Sequence, residues 1–423
     1  MNISFKQPKL LLSHKILQHK TVMFYVITAI FKSISEFIAI FFIADNVTPK
    51  DLGIWTIMLT FSTYANFFSG GIVNGLNREL PYLLSQGKTN LAKSMISSSQ
   101  FYIVGCSVLT LVIGAVVSGY YLYYGFLDKG YVFLSVTIIT IINFYNSYLQ
   151  ATYRSNAHFN KLSFIQTVYA LASIFSVALI YFYGFYGMML RLLFVQFLFV
   201  VLLHIYRPFV EPFRWNKKVV FLLMRTGLPI FIMAYVHSIA LTSDRWIVNY
   251  YADELTLGIY SFGLYAFSAL LILINAIGSF LYPKFTFQYG SNNSNKATMW
   301  LLYKKTTKYL VVIFTAIPIV LYFFIPFVVK NYFHNYLPVI QTMQILVFAG
   351  GLYGWSLGAN ILWSMKAWKY MASQQLSNAL LLILCPLLFV RYFEPLQGVA
   401  LGVCIAYFLN FFITTFLVKK ATI

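Results

Sequence analysis

The sequence predicts an all-α integral membrane protein with twelve transmembrane helices arranged in two six-helix lobes. Three observations predict it: only 9% of the 423 residues are charged, long apolar runs recur along the chain, and positive charges concentrate between alternate runs. Soluble domains carry about 25% charged residues, so this chain cannot cover a water-facing surface. The short connections leave no room for a soluble domain, which excludes an attached ATPase, a secreted enzyme and a nucleic-acid-binding protein.

Each apolar run is long enough to cross a hydrocarbon core about 30 Å thick as a helix, and lipid admits only helices or closed barrels. The first six predicted spans are 22–43, 52–73, 101–124, 131–153, 164–183 and 188–206. The second six are 229–250, 257–282, 310–329, 339–362, 371–390 and 398–417. A basic cytoplasmic lead-in, 1–21, precedes the first span.

The charge distribution supports this count and sets the orientation. Most of the 30 lysines and arginines fall in segments that are cytoplasmic if the N-terminus is inside, as the positive-inside rule requires. The predicted outer loops hold most of the acids: Asp45, Asp51, Asp128, Asp253, Glu254 and Glu394. The sequence therefore predicts a multi-pass protein with both termini in the cytoplasm.

The two halves repeat a short pattern. Leu52-Gly53-Ile54-Trp55 opens the second span, and Leu257-Gly258-Ile259-Tyr260 opens the eighth. Because each half holds an even number of spans, both halves enter the membrane in the same direction, which predicts a parallel repeat. We therefore expect an N-terminal lobe at 1–206, a cytoplasmic linker at 207–228 and a C-terminal lobe at 229–423.

Ionisable residues inside the spans are candidates for function, because charge is expensive to bury in a membrane. Lys32 lies near the middle of the first span, and Glu36 is one turn further on the same face. Either the two neutralise each other and stabilise packing, or Lys32 faces a hydrated cavity and binds an anion while Glu36 tunes it. His237, at the equivalent depth of the second half, is either an interhelical hydrogen-bonding residue or a pH-dependent cation.

Other charged residues lie nearer the membrane surfaces. Arg191 and the pair Asp244 and Arg245 are close to the outer surface, where long side chains also snorkel to the interface. Three arginines at inner helix ends would line a cytoplasmic mouth, although the positive-inside rule alone accounts for them: Arg78, Arg154 and Arg225. If these side chains share one cleft, they form inner, middle and outer tiers that suit an anion crossing the bilayer.

Uncharged polar residues and cysteines also occur in or near the predicted spans. Asparagines at helical spacing predict either hydrogen bonds between helices or contacts to sugar hydroxyls: Asn74, Asn77, Asn143 and Asn146. The three cysteines fall in apolar stretches, and no group of residues has metal-ligand spacing. We therefore expect no metal site, no cofactor and no catalytic residues.

These features resemble the Wzx-type polysaccharide transporters, the O-antigen and capsule repeat-unit flippases of the multidrug/oligosaccharidyl-lipid/polysaccharide exporter superfamily. The likeness spans nearly the whole chain. Its most specific stretch is Asp244-Arg245-Trp246-Ile247 followed by Leu257-Gly258-Ile259-Tyr260 and then Pro283, with an echo at Asp51-Leu52-Gly53-Ile54-Trp55 and Pro81. Lys32 and Glu36 have no assigned counterpart in the family.

The resemblance implies a V-shaped pair of lobes around a cationic cavity, lined by the first and seventh helices, that opens alternately to each side. It implies transport of undecaprenyl-pyrophosphate-linked oligosaccharide from the cytoplasmic to the outer leaflet of the bacterial inner membrane, for lipopolysaccharide O-antigen or capsule. Candidate partners are membrane lipids, the polymerase and the chain-length regulator of the same pathway, with H⁺ or Na⁺ as coupling ion. Nucleic acid is not expected.

Two rival functions stay open. A multidrug exporter of the same superfamily predicts a cavity dominated by acids for cationic drugs, whereas cations outnumber acids within the spans here. A membrane glycosyltransferase or polymerase predicts a sizeable outer loop with catalytic acids or arginines, whereas the outer loops here are short. The balance of charge therefore favours an anionic cargo and a flippase.

The predicted topology is testable with reporter fusions. A reporter fused after Lys420 should read as cytoplasmic, and one inserted after Lys330 should read as extracytoplasmic, because an even number of spans separates the two termini. An extracytoplasmic reading after Lys420 would overturn the even count.

Overall fold

The structure, a computed structural model, describes residues 8–156, 158–291 and 295–423, and every element within these ranges is helical. The helices of the N-terminal half are α1 (Pro8–Asn46), α2 (Pro49–Ala65), α3 (Ile72–Ser85), α4 (Thr89–Tyr123), α5 (Leu127–Ser155), α6 (Phe159–Phe175) and α7 (Val177–Ile205). The first seven residues of the predicted lead-in lie outside the described ranges, and α1 begins within the lead-in.

The second half starts inside the predicted linker, because α8 begins at Lys217. Its helices are α8 (Lys217–Ala240), α9 (Ser243–Tyr251), α10 (Glu254–Ser291), α11 (Lys296–Tyr332), α12 (Val339–Trp355), α13 (Asn360–Ser364), α14 (Trp368–Phe389) and α15 (Pro395–Thr422). Short 3₁₀ segments occupy Asn66–Ser69, His334–Tyr336 and Ser356–Ala359.

The all-helical membrane architecture agrees with the prediction, but the count of twelve spans is not confirmed. Nine helical stretches among the described residues are long and apolar enough to cross a membrane. The three other predicted spans fall on α1, on α2 with α3, and on α6. Both α2 and α6 have only 17 residues; α2 stops where the 3₁₀ segment Asn66–Ser69 leads into Gly70 and Gly71, which both have positive φ.

A chain reversal inside α7 separates the predicted fifth and sixth spans. Gly184 has φ 51° and ψ −123°, a conformation that glycine alone adopts without strain. A Cβ on Gly187 would overlap the carbonyl oxygen of Leu179, so the segments on either side of Gly184 pack against each other. The reversal therefore lies in the predicted connection between 164–183 and 188–206.

The repeated glycine motif joins the two halves at the predicted outer side. Gly53 in α2 faces Gly258 in α10: a Cβ on Gly53 would overlap the carbonyl oxygen of Glu254, and a Cβ on Gly258 would overlap that of Pro49. Helices approach this closely only through small residues. Lys129 of the N-terminal half adds an ion pair to Glu254 at 2.5 Å. The sequence repeat is thus also a contact between the halves.

The hydrophobic core shows which side is open. One cluster joins both halves at the predicted outer side and includes Ile43, Leu52, Leu257 and Val339. Toward the inner side two separate clusters form, one around Leu80 and Phe199 and the other around Met299 and Tyr303. The halves are therefore joined at the predicted outer side and have separate cores at the predicted inner side, so a cleft opens toward the predicted cytoplasmic face.

Replacing Gly258 by alanine should part the halves at the outer side, because the new Cβ has no room against Pro49. In a background without the native cysteines, residues 129 and 254 changed to cysteine should cross-link with a short bismaleimide, and Gly258→Ala should lower the yield severalfold. Gly119→Ala is the matched control, because a Cβ there meets no described atom within 4 Å. Equal cross-linking in both variants would contradict the proposed contact.

Candidate functional site

Three adjoining cavities form a cleft between the halves. The inner, middle and outer cavities have volumes of about 380, 370 and 190 Å³. Thr63 lines all three, and Arg245 lines the middle and the outer one. The cavities therefore follow one another along a path from the predicted cytoplasmic side toward the Gly53–Gly258 contact.

Amides and hydroxyls line most of the inner cavity: Thr63, Asn66, Ser69, Asn74, Asn77, Ser147, Gln150, Tyr235 and Ser238. Within the described part of the chain, Arg154 is the only charged side chain in this lining, and its Nη2 lies 3.5 Å from Oδ1 of Asn77. Amides and hydroxyls both donate and accept hydrogen bonds, as sugar hydroxyls require. The cavity therefore suits a polar, largely uncharged ligand with a negative group near Arg154.

The break in the second span creates part of this lining. The 3₁₀ segment Asn66–Ser69 places Asn66 and Ser69 on the inner cavity, whereas Phe67 and Phe68 line a separate groove behind it. The helix restarts after Gly70 and Gly71, and a discontinuous helix at mid-membrane is a recurrent way to build a transporter site. Because the apolar run of the predicted span 52–73 continues across this break, the sequence does not predict it.

Arg245 is the cation deep in the cleft. Its neighbour Asp244 is buried and accepts hydrogen bonds from the Tyr260 hydroxyl at 2.9 Å and from the Arg245 amide at 2.8 Å. Nε of Arg245 is buried without a hydrogen-bond partner among the described residues. Because Asp244 is engaged by Tyr260, Arg245 keeps donor capacity for an anion in the cavity.

The partner of Glu36 is Arg191, not Lys32 as the sequence spacing suggests. Nη2 of Arg191 lies 3.0 Å from Oε2 of Glu36, and Tyr169 and Ser173 donate to Oε1 at 2.8 and 3.0 Å. Arg191 is only 2% exposed, so it does not snorkel to the interface. It reaches Glu36 because the reversal at Gly184 sends the chain back beside α1.

Lys32 contacts aromatic rings. Its Nζ lies 4.0 Å from the ring centroid of Tyr169 and 4.2 Å from that of Phe199, within the range of cation–π attraction. The described linings of the three cleft cavities do not include Lys32. His237 shares a 3.3 Å hydrogen bond with Asn378 of α14. Among the described contacts, Lys32 and His237 have no common partner.

The three arginines expected at the cytoplasmic mouth are placed differently. Arg154 lines the inner cavity. Arg78 is exposed and lies 3.9 Å from Glu79, and Arg225 is exposed on α8. Neither Arg78 nor Arg225 belongs to the described lining of the cleft, so Arg154 is the mouth residue that the geometry favours.

Sequence reasoning missed two polar lining residues that had a usable signal. Ser147 and Gln150 precede the predicted Arg154 at helical spacing on α5, so all three share a face. Asn74 and Asn77 line the inner cavity, consistent with the sugar-contact alternative. Asn146 instead lies buried in α5, with its side-chain nitrogen 3.5 Å from Oε1 of Gln196, which is the interhelical alternative.

A family model described as polysaccharide biosynthesis protein matches residues 42–335. Among solved structures, an inward-facing multidrug resistance MATE family transporter of the MOP superfamily aligns with a TM-score of 0.74 at 13% identity, covering 91% of this chain and 93% of that chain. The lipid II flippase MurJ, inward closed, gives 0.63 at 15% identity, covering 96% and 87%. The MATE multidrug transporter DinF-BH gives 0.64 at 17%, covering 96% and 95%.

These likenesses show the fold, which is the all-helical membrane fold of MATE and MurJ transporters. No curated protein sequence matches the chain significantly. The fold agrees with the predicted multi-pass membrane protein.

Breaking the Glu36–Arg191 pair should destabilise the protein, because Glu36→Gln leaves the buried guanidinium of Arg191 without its counter-charge. Glu36→Gln should lower the free energy of unfolding by about 3–5 kcal/mol. Arg191→Met should lower it by less, because Glu36 is one-third exposed, and the double variant should recover most of the larger loss. Thermal unfolding in detergent measures this. Lys32→Met removes two ring contacts and a charge near Glu36 but no ion pair within 4 Å to a described residue, so it should cost only about 1 kcal/mol. Additive losses in the Glu36→Gln/Arg191→Met double variant would refute the pairing.

Proposed function

The chain belongs to the polysaccharide biosynthesis protein family, and from this premise we propose that it flips undecaprenyl-pyrophosphate-linked oligosaccharide from the cytoplasmic to the outer leaflet of a bacterial inner membrane. The observation that carries the proposal is the cleft, with amides and hydroxyls along its inner cavity and arginines at two depths. A pyrophosphate and its sugars cannot cross bare hydrocarbon, because burying unpaired polar and charged groups is prohibitive. A hydrated cleft between lobes removes that barrier.

In this mechanism the two arginines act in succession. Arg154 meets the pyrophosphate at the cytoplasmic mouth, and the asparagines beside it accept and donate hydrogen bonds to the sugars. Arg245 stabilises the phosphate oxygens deeper in the cleft, since its guanidinium forms charge-assisted hydrogen bonds with them. Outward opening then requires Gly53 and Gly258 to separate while the inner ends approach. Both halves therefore contribute to the path.

The ionic cluster of Lys32, Glu36 and Arg191 lies beside this path. Tyr265 of α10 lines the outer cavity and is within electrostatic range of Glu36 and Arg191. The cluster carries one net positive charge when all three groups are ionised, and Glu36 remains one-third exposed. We assign Lys32 a supporting role in attracting the anion, and Glu36 is the group through which a coupling H⁺ or Na⁺ would act.

The charge of the cleft also weighs against export of cationic drugs. Among the described residues that line the three cavities, Asp244 is the only acid. It is already held by Tyr260 and the Arg245 amide. A cationic cargo would therefore find no free carboxylate there, whereas an anionic cargo finds Arg154 and Arg245.

Transport in proteoliposomes tests the proposal. The protein should move a fluorescent undecaprenyl-pyrophosphate oligosaccharide between leaflets, and Arg154→Gln and Arg245→Gln should each slow it about tenfold, the effect of losing one charged hydrogen bond. Arg391→Gln is the matched control, because Arg391 is exposed on a predicted outer loop. Transport of a cationic dye, with no movement of the lipid-linked sugar, would overturn the proposal and favour the exporter.

A further inference from the structure

An aromatic groove lies behind the inner cavity, on the face of the N-terminal half that would meet lipid. The aromatic groove has a volume of about 570 Å³, larger than any cavity of the cleft. Half of its lining consists of five aromatic residues and a methionine: Phe67, Phe101, Tyr102, Trp215, Phe231 and Met224. It runs between α4, α8 and the 3₁₀ segment Asn66–Ser69. Its lining is almost entirely apolar, so its occupant must be apolar as well.

With the predicted orientation, the aromatic groove lies in the inner half of the membrane. Trp215 belongs to the linker before α8, at the depth where tryptophan anchors a protein in the interface, and its ring centroid is 5.5 Å from that of Phe101. Phe67, Phe101 and Trp215 are 60%, 45% and 50% exposed. These rings are therefore available to a chain that enters from the cytoplasmic leaflet.

The aromatic groove and the inner cavity share a wall. Phe231 lines both, and Tyr235, which lines the inner cavity, packs between Phe231 and Phe67 with centroid distances of 5.3 and 5.6 Å. The 3₁₀ segment contributes Asn66 and Ser69 to the polar side and Phe67 to the apolar side. A ligand with a polar head and a long apolar chain can thus occupy both compartments at one depth.

The inner rim of the aromatic groove is basic. Arg214, Lys217, Lys218 and Arg225 flank Trp215 and Met224 in the chain, and all four are exposed. Glu211, an acid of the same linker, is paired with Lys93 at 3.7 Å. Clusters of exposed cations on the cytoplasmic side attract phosphate groups at the membrane surface. An apolar groove beside such a rim matches a phosphate joined to a long hydrocarbon.

We propose that the aromatic groove binds the isoprenoid chain of the lipid-linked substrate while the inner cavity holds its sugars. The inference rests on the function proposed above and adds a site for the part of the substrate that never leaves the bilayer. Holding the chain beside the cleft keeps the pyrophosphate near Arg154, which raises its local concentration there. Binding of the isoprenoid chain also favours transport of isoprenoid-linked sugars over water-soluble sugars.

Filling the aromatic groove tests the proposal directly. A Cβ on Gly105 meets no described atom within 4 Å, and Gly105 lines the groove, so Gly105→Leu occupies the space without displacing the core. Gly119→Leu is the matched control on the same helix, with equally open surroundings and away from the groove. Leucine is a better helix former than glycine, so both variants should fold, which thermal unfolding confirms.

The probe is a sugar-free undecaprenyl phosphate that carries a photoreactive diazirine on its chain, applied to protein in phospholipid nanodiscs. Labelling of α4 and α8 peptides, measured by mass spectrometry, should fall about tenfold in Gly105→Leu, as expected for losing a few methylene contacts, and should be unchanged in Gly119→Leu. Transport of the lipid-linked oligosaccharide should fall in parallel. An excess of phosphatidylglycerol should not displace the label.

The outcomes separate this proposal from the proposed function. Equal labelling of Gly105→Leu and Gly119→Leu, or displacement by phosphatidylglycerol, would overturn the isoprenoid site even if the wild-type protein transports the substrate. Specific labelling of the wild-type groove without any transport of lipid-linked oligosaccharide would support the site and overturn the flippase function.

Discussion

The cleft depends on the backbone contact between Gly53 and Gly258. Because α2 and α10 meet at a distance that admits no side chain, the halves converge at the predicted outer side and share one hydrophobic cluster there. Their inner cores form separate clusters, which leaves room for the three cavities. The same contact helps to place Arg245, since α9, which carries it, directly precedes the start of α10. The site is thus a consequence of how two helices pack some distance away.

The sequence predicts the parts of this structure that depend on local pattern. Helical spans, the repeated Leu-Gly-Ile motif and Arg154 at an inner helix end all follow from hydropathy, repetition and charge. The partner of Glu36 does not, because Arg191 arrives through a reversal some 150 residues later in the chain, and the (i, i+4) neighbour Lys32 is a misleading local signal. The break at Asn66–Ser69 is equally hidden, since asparagine, serine and two glycines leave the apolar run nearly intact.

The two halves share the sequence repeat but differ in helix continuity and in the polar residues that they contribute to the cleft. The second span is interrupted at Asn66–Ser69, whereas its repeat mate α10 runs without interruption from Glu254 to Ser291. Most of the inner polar lining comes from α2, α3 and α5 of the first half, and the second half adds Ser238, Tyr235 and the deeper Arg245. In the proposed mechanism, one half therefore offers most of the hydrogen bonds to the ligand, and the other supplies the deeper arginine.

The reversal at Gly184 bears on how the chain enters the membrane. Exposed tyrosines surround it, and the adjoining helical segments are separated by a single glycine. The two helical segments therefore have no hydrated loop between them that would let each enter the lipid separately. They must insert together as a helical hairpin, with the tyrosine rings held at the interface. Any scheme that reads 177–205 as one crossing assigns every later helix to the opposite direction.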